Sequence, residues 1–329
     1  MVKYINSVFK NLIQVGMVVS NLELSMGKYI FDYGLGPMYV LEFNQENVQN
    51  MYLYGKKKNY SMNLGVCNIG NVRFELIEPI SKSIYSDYLN KYNEGIIHHL
   101  KLEVADYFKV IEFFKSNGIK IIQHGEQLGD KGKNIYTYLD TSNTLGFIIE
   151  LVQVTKDFIK PKPDYWFPLN KKILLDPIFK NVVRLGIVIK NLENKMKEYK
   201  NLFGLDAVVV KEFNYKNTGE MYIYGRKKNY EIKACFYELG NAQIVLIEPL
   251  SESIYSDFLK KYGEGVIHHL GMEVEDYEKA LNFFKSKGIK VIQSGNYLNK
   301  LRYSYLSTNS DLSYIVEIAE TNRSNNFFP

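Results

Sequence analysis

The segment NEGIIHHLKLEVADY (93–107) returns almost unchanged as GEGVIHHLGMEVEDY (263–277). The echo continues on the N-terminal side. SIYSDYLNKY (83–92) comes back as SIYSDFLKKY (253–262), and MYLYGKKKNY (51–60) as MYIYGRKKNY (221–230). The offset is 170 from Gln14 to about Gln127, and 167 beyond the loop GDKGKN (129–134), which the second copy shortens. Solenoid units are much shorter than this, so the repeat reads as a whole domain duplicated. The expected division is a first domain over 1–155, a linker over 156–180 and a second domain over 181–329. Four of the eight prolines, Pro161, Pro163, Pro168 and Pro177, fall in or beside that linker. Such density predicts an extended connection with neither helix nor sheet ladder. Trp166, the only tryptophan, is expected to dock the linker on a domain surface.

The 329 residues are 46% hydrophobic and 23% charged, which excludes a disordered chain. No apolar run reaches the roughly 18 residues that a membrane-spanning helix needs. The opening MVKYINSVFKNLIQ is too broken by polar residues for a secretory signal. Cys67 and Cys235 are too few for a disulfide framework or a thiolate metal site. A cytoplasmic protein is therefore expected. The net charge of +5 is spread along the chain. It is only weak evidence for a nucleic-acid partner, so neither nucleic acid nor membrane is expected as a partner, and it is compatible with an anionic small-molecule substrate.

Within one copy, Gln14–Val19 alternates as a strand, and Leu22, Met26, Tyr29 and Tyr33 follow at helical spacing up to Gly34. Strands are predicted at Met38–Phe43, Met62–Ile69 and Val72–Ile77, with a turn at Gly70-Asn71. A short helix over Ile84–Tyr92, a strand over His99–Val104 and a helix ending at Gly118 come next. Strands at Ile121–Gln123, Ile135–Leu139 and Phe147–Val152 complete the copy. The order is β-α-β-β-β, twice per copy. On the central strand His99, Lys101 and Glu103 share one face, expected to look into a cleft, while Leu100, Leu102 and Val104 share the other. His98 falls on the apolar side and recurs as His268, which reads as a hydrogen-bonded structural histidine. His124 becomes Ser294 and is assigned to a loop without a role. The KKK run (56–58) is expected at a solvated hairpin tip, the alternative being a contact for a phosphate-bearing carrier such as coenzyme A.

This order, with the segments QVGMVVSNLE (14–23), GNVRFELIEP (70–79), HHLKLEV (98–104) and LGFIIELV (145–152), resembles the vicinal oxygen chelate superfamily of glyoxalase I and methylmalonyl-CoA epimerase. The resemblance implies an α+β fold of four βαβββ modules forming two tandem glyoxalase-like domains, packed as an intramolecular pseudo-dimer. It also implies a metal cleft whose ligands, carried over position by position, are Gln14, Glu75, His99 and Glu150. Two carboxylates, an imidazole and an amide oxygen suit one divalent ion: Ni, Co, Zn, Fe or Mn. The second copy has Arg184, Val245, His269 and Glu317 at those places. The ion is therefore expected in the N-terminal domain only, with the Arg184 guanidinium taking its place in the other and pairing with Glu317.

Lys101 departs from the pattern; its counterpart is Gly271. It either holds a substrate carboxylate or enolate beside the ion, or replaces the ion by pairing with Glu75 and Glu150. Lys131 and Lys133 lie in a loop that borders the substrate in the family, and the resemblance makes them candidates for an anionic group. The implied function is a metal-dependent isomerase, epimerase or lyase acting through an enolate of a small carbonyl or thioester substrate. Glu150 is the expected base, Glu75 the second carboxylate and Lys101 a further catalytic candidate. The place of the epimerase's additional catalytic glutamate is taken by Asn63. The alternatives are a non-catalytic sequestration protein and, with two histidines and a carboxylate required, an iron dioxygenase.

Overall fold

The computed structural model describes residues 8–94, 96–169 and 177–320. In the first copy, one module comprises β1 (Phe9–Val18), α1 (Leu22–Gly27), β2 (Met38–Phe43), a hairpin of β3 (Val48–Leu53) and β4 (Lys56–Lys57), β5 (Met62–Ile69) and β6 (Val72–Pro79). After α2 (Ile84–Tyr92), the other comprises β7 (Ile97–Val104), α3 (Tyr107–Ser116), β8 (Ile121–Leu128), β9 (Lys133–Leu139), α4 (Ser142–Leu145) and β10 (Ile148–Val154). Each first strand lies parallel to its module's last: β1 to β6 and β7 to β10. The modules join through the antiparallel pair β1–β7, so the sheet runs β2-β5-β6-β1-β7-β10-β9-β8.

Local chemistry explains the elements. Asn21 caps α1 by accepting from Leu24 N, Ser83 forms a capping box with Ser86, and Asp106 accepts from Lys109 N. Each satisfies backbone donors that a helix start leaves free. On α3, Tyr107, Val110, Ile111 and Phe114 are buried, each contributing roughly 1.5–3 kcal/mol of apolar burial. On β6, Phe74 and Leu76 enter the helix-side core, while Arg73 and Glu75 line the opposite, concave face.

The second copy repeats the plan from β12 (Asn181–Val188) through α5 (Leu192–Phe203), β13 (Val209–Phe213), β14 (Thr218–Ile223), β15 (Arg226–Lys227), β16 (Ile232–Leu239), β17 (Ala242–Pro249), α6 (Ile254–Tyr262), β18 (Ile267–Glu273), α7 (Tyr277–Ser286), β19 (Val291–Tyr297), β20 (Leu301–Leu306) and α8 (Asn309–Leu312) to β21 (Ile315–Ala319). The fold thus agrees with the expected α+β class and its four modules. One apolar cluster runs through both copies, and two smaller clusters line the two concave faces. Tyr29 donates to Leu312 O and Tyr199 to Leu145 O, both at 2.6 Å, a reciprocal exchange across the pseudo-twofold. Gly70 and Gly240 have positive φ, and a Cβ on them would strike Lys180 O and Lys10 O of the opposite copy. Glycine at these turns lets the copies close on each other.

Three local expectations need correction. The linker does join the sheet: β11 (Tyr165–Phe167) pairs antiparallel with the edge strand β2, and the Trp166 ring packs T-shaped on Tyr39 at 5.7 Å. A Pro-rich segment can lie on an edge, where only one side of the strand needs donors. The first helix breaks after Gly27 into a wider π-type turn over Lys28–Asp32. Strand β3, unforeseen in the sequence, pairs with β8, so the chain itself links the two edges of the sheet. The lysines of 56–58 are exposed, with a turn at Tyr54-Gly55.

Candidate metal centre

Four adjacent strands, β6-β1-β7-β10, place the expected residues on one concave face. Gln14 is opposite Lys101, Gly16 lies between Glu75 and His99, and Glu150 is beside Lys101. A side chain at position 16 would run into the His99 ring, so the glycine is what lets the imidazole lie over β1. All five polar groups are buried. His99 Nε2 is 3.3 Å from Glu150 Oε2 and 3.8 Å from Glu75 Oε2, yet has no hydrogen bond. Glu75, His99 and Glu150 offer ligand atoms all within 4.8 Å of one another, so the trio could hold a metal ion. Gln14 joins them, its Nε2 3.5 Å from Glu150 Oε2.

The ring of His99 is set by its neighbour. A bulge in β7 opposite Gly16-Met17 inserts one extra residue, which turns His98 to the cleft side rather than the apolar side expected from alternation. His98 packs against Tyr85, Tyr88 and Tyr138, and its Nδ1 lies 3.0 Å from His99 Nδ1. Burial, and then His99, holds His98 well below the usual histidine range, so it is neutral. One of the two Nδ1 atoms must donate. The arrangement that leaves the His99 Nε2 lone pair facing the carboxylates has His99 Nδ1–H donating to His98.

Charge balance separates the two copies. Lys101 Nζ lies 3.1 Å from Glu150 Oε2 and donates to Gln14 Oε1 at 3.1 Å. Burial raises Glu150, but Lys101 and His99 outweigh it and hold its carboxyl below the ordinary value. Glu75 is different. Burial, reinforced by Glu150, lifts it above the ordinary value despite Lys101. Two buried carboxylates thus share one ammonium, and the donor set fits a divalent cation. In the second copy Arg184 Nη1 reaches both Glu317 oxygens, at 3.0 and 2.9 Å, as expected, and Val245 replaces the other carboxylate. One charge there meets one countercharge. A Cβ on Gly271 would come within 2.7 Å of Arg184 Cβ, so glycine at the Lys101 position accompanies arginine at the Gln14 position.

The first cleft holds a cavity of about 250 Å³, lined by Leu64, Val66, Tyr136, Tyr138 and Val152 around the polar cluster. The second retains about 30 Å³, with Arg184 and Phe236, the counterpart of Val66, among its lining residues. The cavity also touches Arg73 and Lys160, which sequence reading missed. Their signal was faint: Arg73 shares strand phase with Glu75, and Lys160 is one lysine in a linker. Lys131 and Lys133 do not line it. Lys131 is exposed, and the Lys133 ammonium is bound to Glu126 at 2.6 Å. Nor does Asn63, on the other face of β5 from Met62 and Leu64. His124 is in strand β8, not a loop, with Nδ1 2.9 Å from Thr137 Oγ1.

Residues 13–137 and 184–303 match the family described as the Glyoxalase/Bleomycin resistance protein/Dioxygenase superfamily. Methylmalonyl-CoA epimerase of Dictyostelium discoideum is 30% identical over 109 residues, 33% of this chain and 57% of that protein. Ethylmalonyl-CoA/methylmalonyl-CoA epimerase of Cereibacter sphaeroides is 29% identical over 112 residues, 34% of this chain and 73% of that protein. The chain spans little more than half the length of the first of these relatives. A solved triple mutant of 4-hydroxymandelate synthase from Streptomyces coelicolor aligns over 97% of this chain and 94% of its own at 12% identity, with a TM-score of 0.62. That likeness concerns the fold.

Proposed function

The chain belongs to the glyoxalase/bleomycin resistance protein/dioxygenase superfamily, and from that premise we propose that its first cleft is a divalent-metal site for proton transfer next to a carbonyl or thioester. The observation that carries the reading is the second buried carboxylate: Glu75 and Glu150 converge on His99 Nε2, and among the described residues Lys101, on Glu150, is the one lysine or arginine in ion-pair contact with either. Gln14, Glu75, His99 and Glu150 would hold the ion. When bound, it supplies Lewis-acid polarisation of a substrate carbonyl oxygen.

The chain's own groups do the rest. Glu150 Oε2 is occupied by Lys101, with Gln14 and His99 also beside it, whereas Glu75 has no hydrogen bond among the described residues. Glu75 is therefore better placed than Glu150 to accept the α-proton; reprotonation of the same carbon from its opposite face, by water or a second acid, gives epimerisation, and protonation of a neighbouring carbon by Glu75 gives isomerisation. Lys101, which lines the cavity, donates from Nζ to the oxygen that becomes negative as the proton leaves. Tyr85, Tyr136 and Tyr138 wall the cavity and limit water around the carbanion.

The contact of Lys101 with two of the four candidate ligands favours a second reading, a metal-free cleft that binds without turnover. One experiment separates them. The protein is loaded with Co²⁺ and incubated in D₂O with methylmalonyl-CoA, the substrate named by the relatives. The expected result is metal-dependent deuterium at the α-carbon, lost in Glu75→Gln. No exchange above the buffer rate, with an unaltered thioester recovered, overturns the catalytic reading.

A further inference from the structure

The first cleft has a rim built from chain that the modules themselves do not contain. After β10 the backbone turns back along the cleft and is pinned at two points. Ile159 bridges Lys131, Ile159 N donating to Lys131 O and Asp130 N to Ile159 O, both at 2.9 Å. Further on, β11 extends the edge of β2. Phe158 and Lys160, on either side of Ile159, complete the cavity wall. The loop carrying Lys131 is the one the second copy shortens, so this loop serves the rim through its backbone.

Lys160 Nζ donates to the Tyr39 hydroxyl at 2.6 Å and sits 3.9 Å from that ring's centroid. Arg73 lines the same cavity on β6 and makes no ion pair among the described residues. Its counterpart in the filled second cleft is Gln243. Two cations at the cleft, neither in ion-pair contact with a carboxylate among the described residues although both feel the charge of Glu75, are the chemistry of oxyanion recognition, with a guanidinium offering paired donors to two oxygens. We propose that Arg73 and Lys160 form an anion-binding rim, so that the first cleft takes a small molecule carrying a carboxylate or phosphate group at this end. The inference rests on the reading of this cleft as the substrate site, and names its substrate class: an oxyanion some distance from the group that meets Lys101.

The test is calorimetric titration of the full chain, freed of metal with chelator so that direct coordination does not contribute. The probes are malonate, inorganic phosphate and the uncharged malonamide. At least one anion is expected to bind with one site per chain, and the tighter of the two identifies carboxylate or phosphate as the preferred end. Arg73→Gln, which copies the second repeat, and Lys160→Gln, on the exposed strap, should each weaken it about tenfold or more, as loss of a charge-assisted hydrogen bond would. Malonamide should not bind. Absence of binding by both anions overturns the proposal, as does equal affinity in wild type and both variants. Metal affinity, measured separately, decides the metal reading without touching this one.

Discussion

Lys101 Nζ and Glu150 Oε2 are 3.1 Å apart in a buried pair, and the second copy rebuilds that pair from the other strand, with Arg184 Nη1 2.9 Å from Glu317 Oε2. In each copy the glutamate of the last strand keeps a cation. The difference lies in what else needs one: Glu75 in the first copy, nothing in the second, where Val245 stands.

Lys101→Met leaves Glu150 and Glu75 without a countercharge. Breaking a buried pair from one side costs about 3 kcal/mol or more, so the metal-free variant should unfold at markedly lower urea. Saturating Co²⁺ should recover most of the loss, since the ion neutralises the same oxygens. Urea curves with and without Co²⁺ check this; a deficit unchanged by the ion would separate Lys101 from the metal site.

Glu75→Val converts the first cleft to the charge pattern of the second. Val245 at the equivalent place is well accommodated, so the variant should fold. Metal content after dialysis should drop from about one ion per chain to near zero, because removing a carboxylate ligand removes both charge and a donor. Arg184→Met should leave the content unchanged. Elemental analysis of the three proteins decides, and ion retained by Glu75→Val would refute the ligand assignment.

His98→Leu removes the acceptor that fixes the His99 tautomer. Loss of such an outer partner typically costs about 10–100-fold in metal affinity, here with His99 itself intact. Competition titration against a chromophoric chelator measures it, and circular dichroism checks that the bulged strand survives. A folded variant with wild-type affinity would reduce His98 to packing.

Acid stability should carry the mark of Glu317. Burial pushes its carboxyl up, but Arg184 and His269 outweigh burial and hold it at about 2. The folded state thus binds fewer protons than the unfolded one. The stabilisation is fully present above the unfolded carboxyl value and is lost as pH falls towards 2, about 3 kcal/mol in all. Glu150 acts in the same direction; Glu75, raised instead, loses its contribution as pH rises. The gap in unfolding free energy between wild type and Glu317→Gln should narrow by about 2 kcal/mol from pH 5 to pH 2.5, the remainder being lost below that pH. Parallel curves would remove the pair from the acid limb.

Much of the site was legible because strand periodicity ties a position to a face. Gln14, Glu75, His99 and Glu150 each sit in phase with an apolar alternation, and the second copy's Val245 independently marks position 75 as inward-facing. His98 was misplaced because a bulge adds one residue and reverses the phase, and nothing local in IIHHLK announces it. Lys131 drew attention by its charge, yet its part is played by the backbone. Arg73 and Lys160 were missed because each looks ordinary alone, and they become a pair only when the linker returns across the cleft.

The sequence by itself determined the duplication, the module order and the inward positions, since all three follow from repetition and from a two-residue period that local chemistry enforces. Only the tertiary structure decided which inward groups touch. The reach of Lys101 to Gln14 and Glu150, the turning of His98 towards His99 and the meeting of Lys160 with Tyr39 depend on register and on contacts between distant segments. Such distances are set by how the whole sheet curves and packs, and no local stretch of chain encodes them.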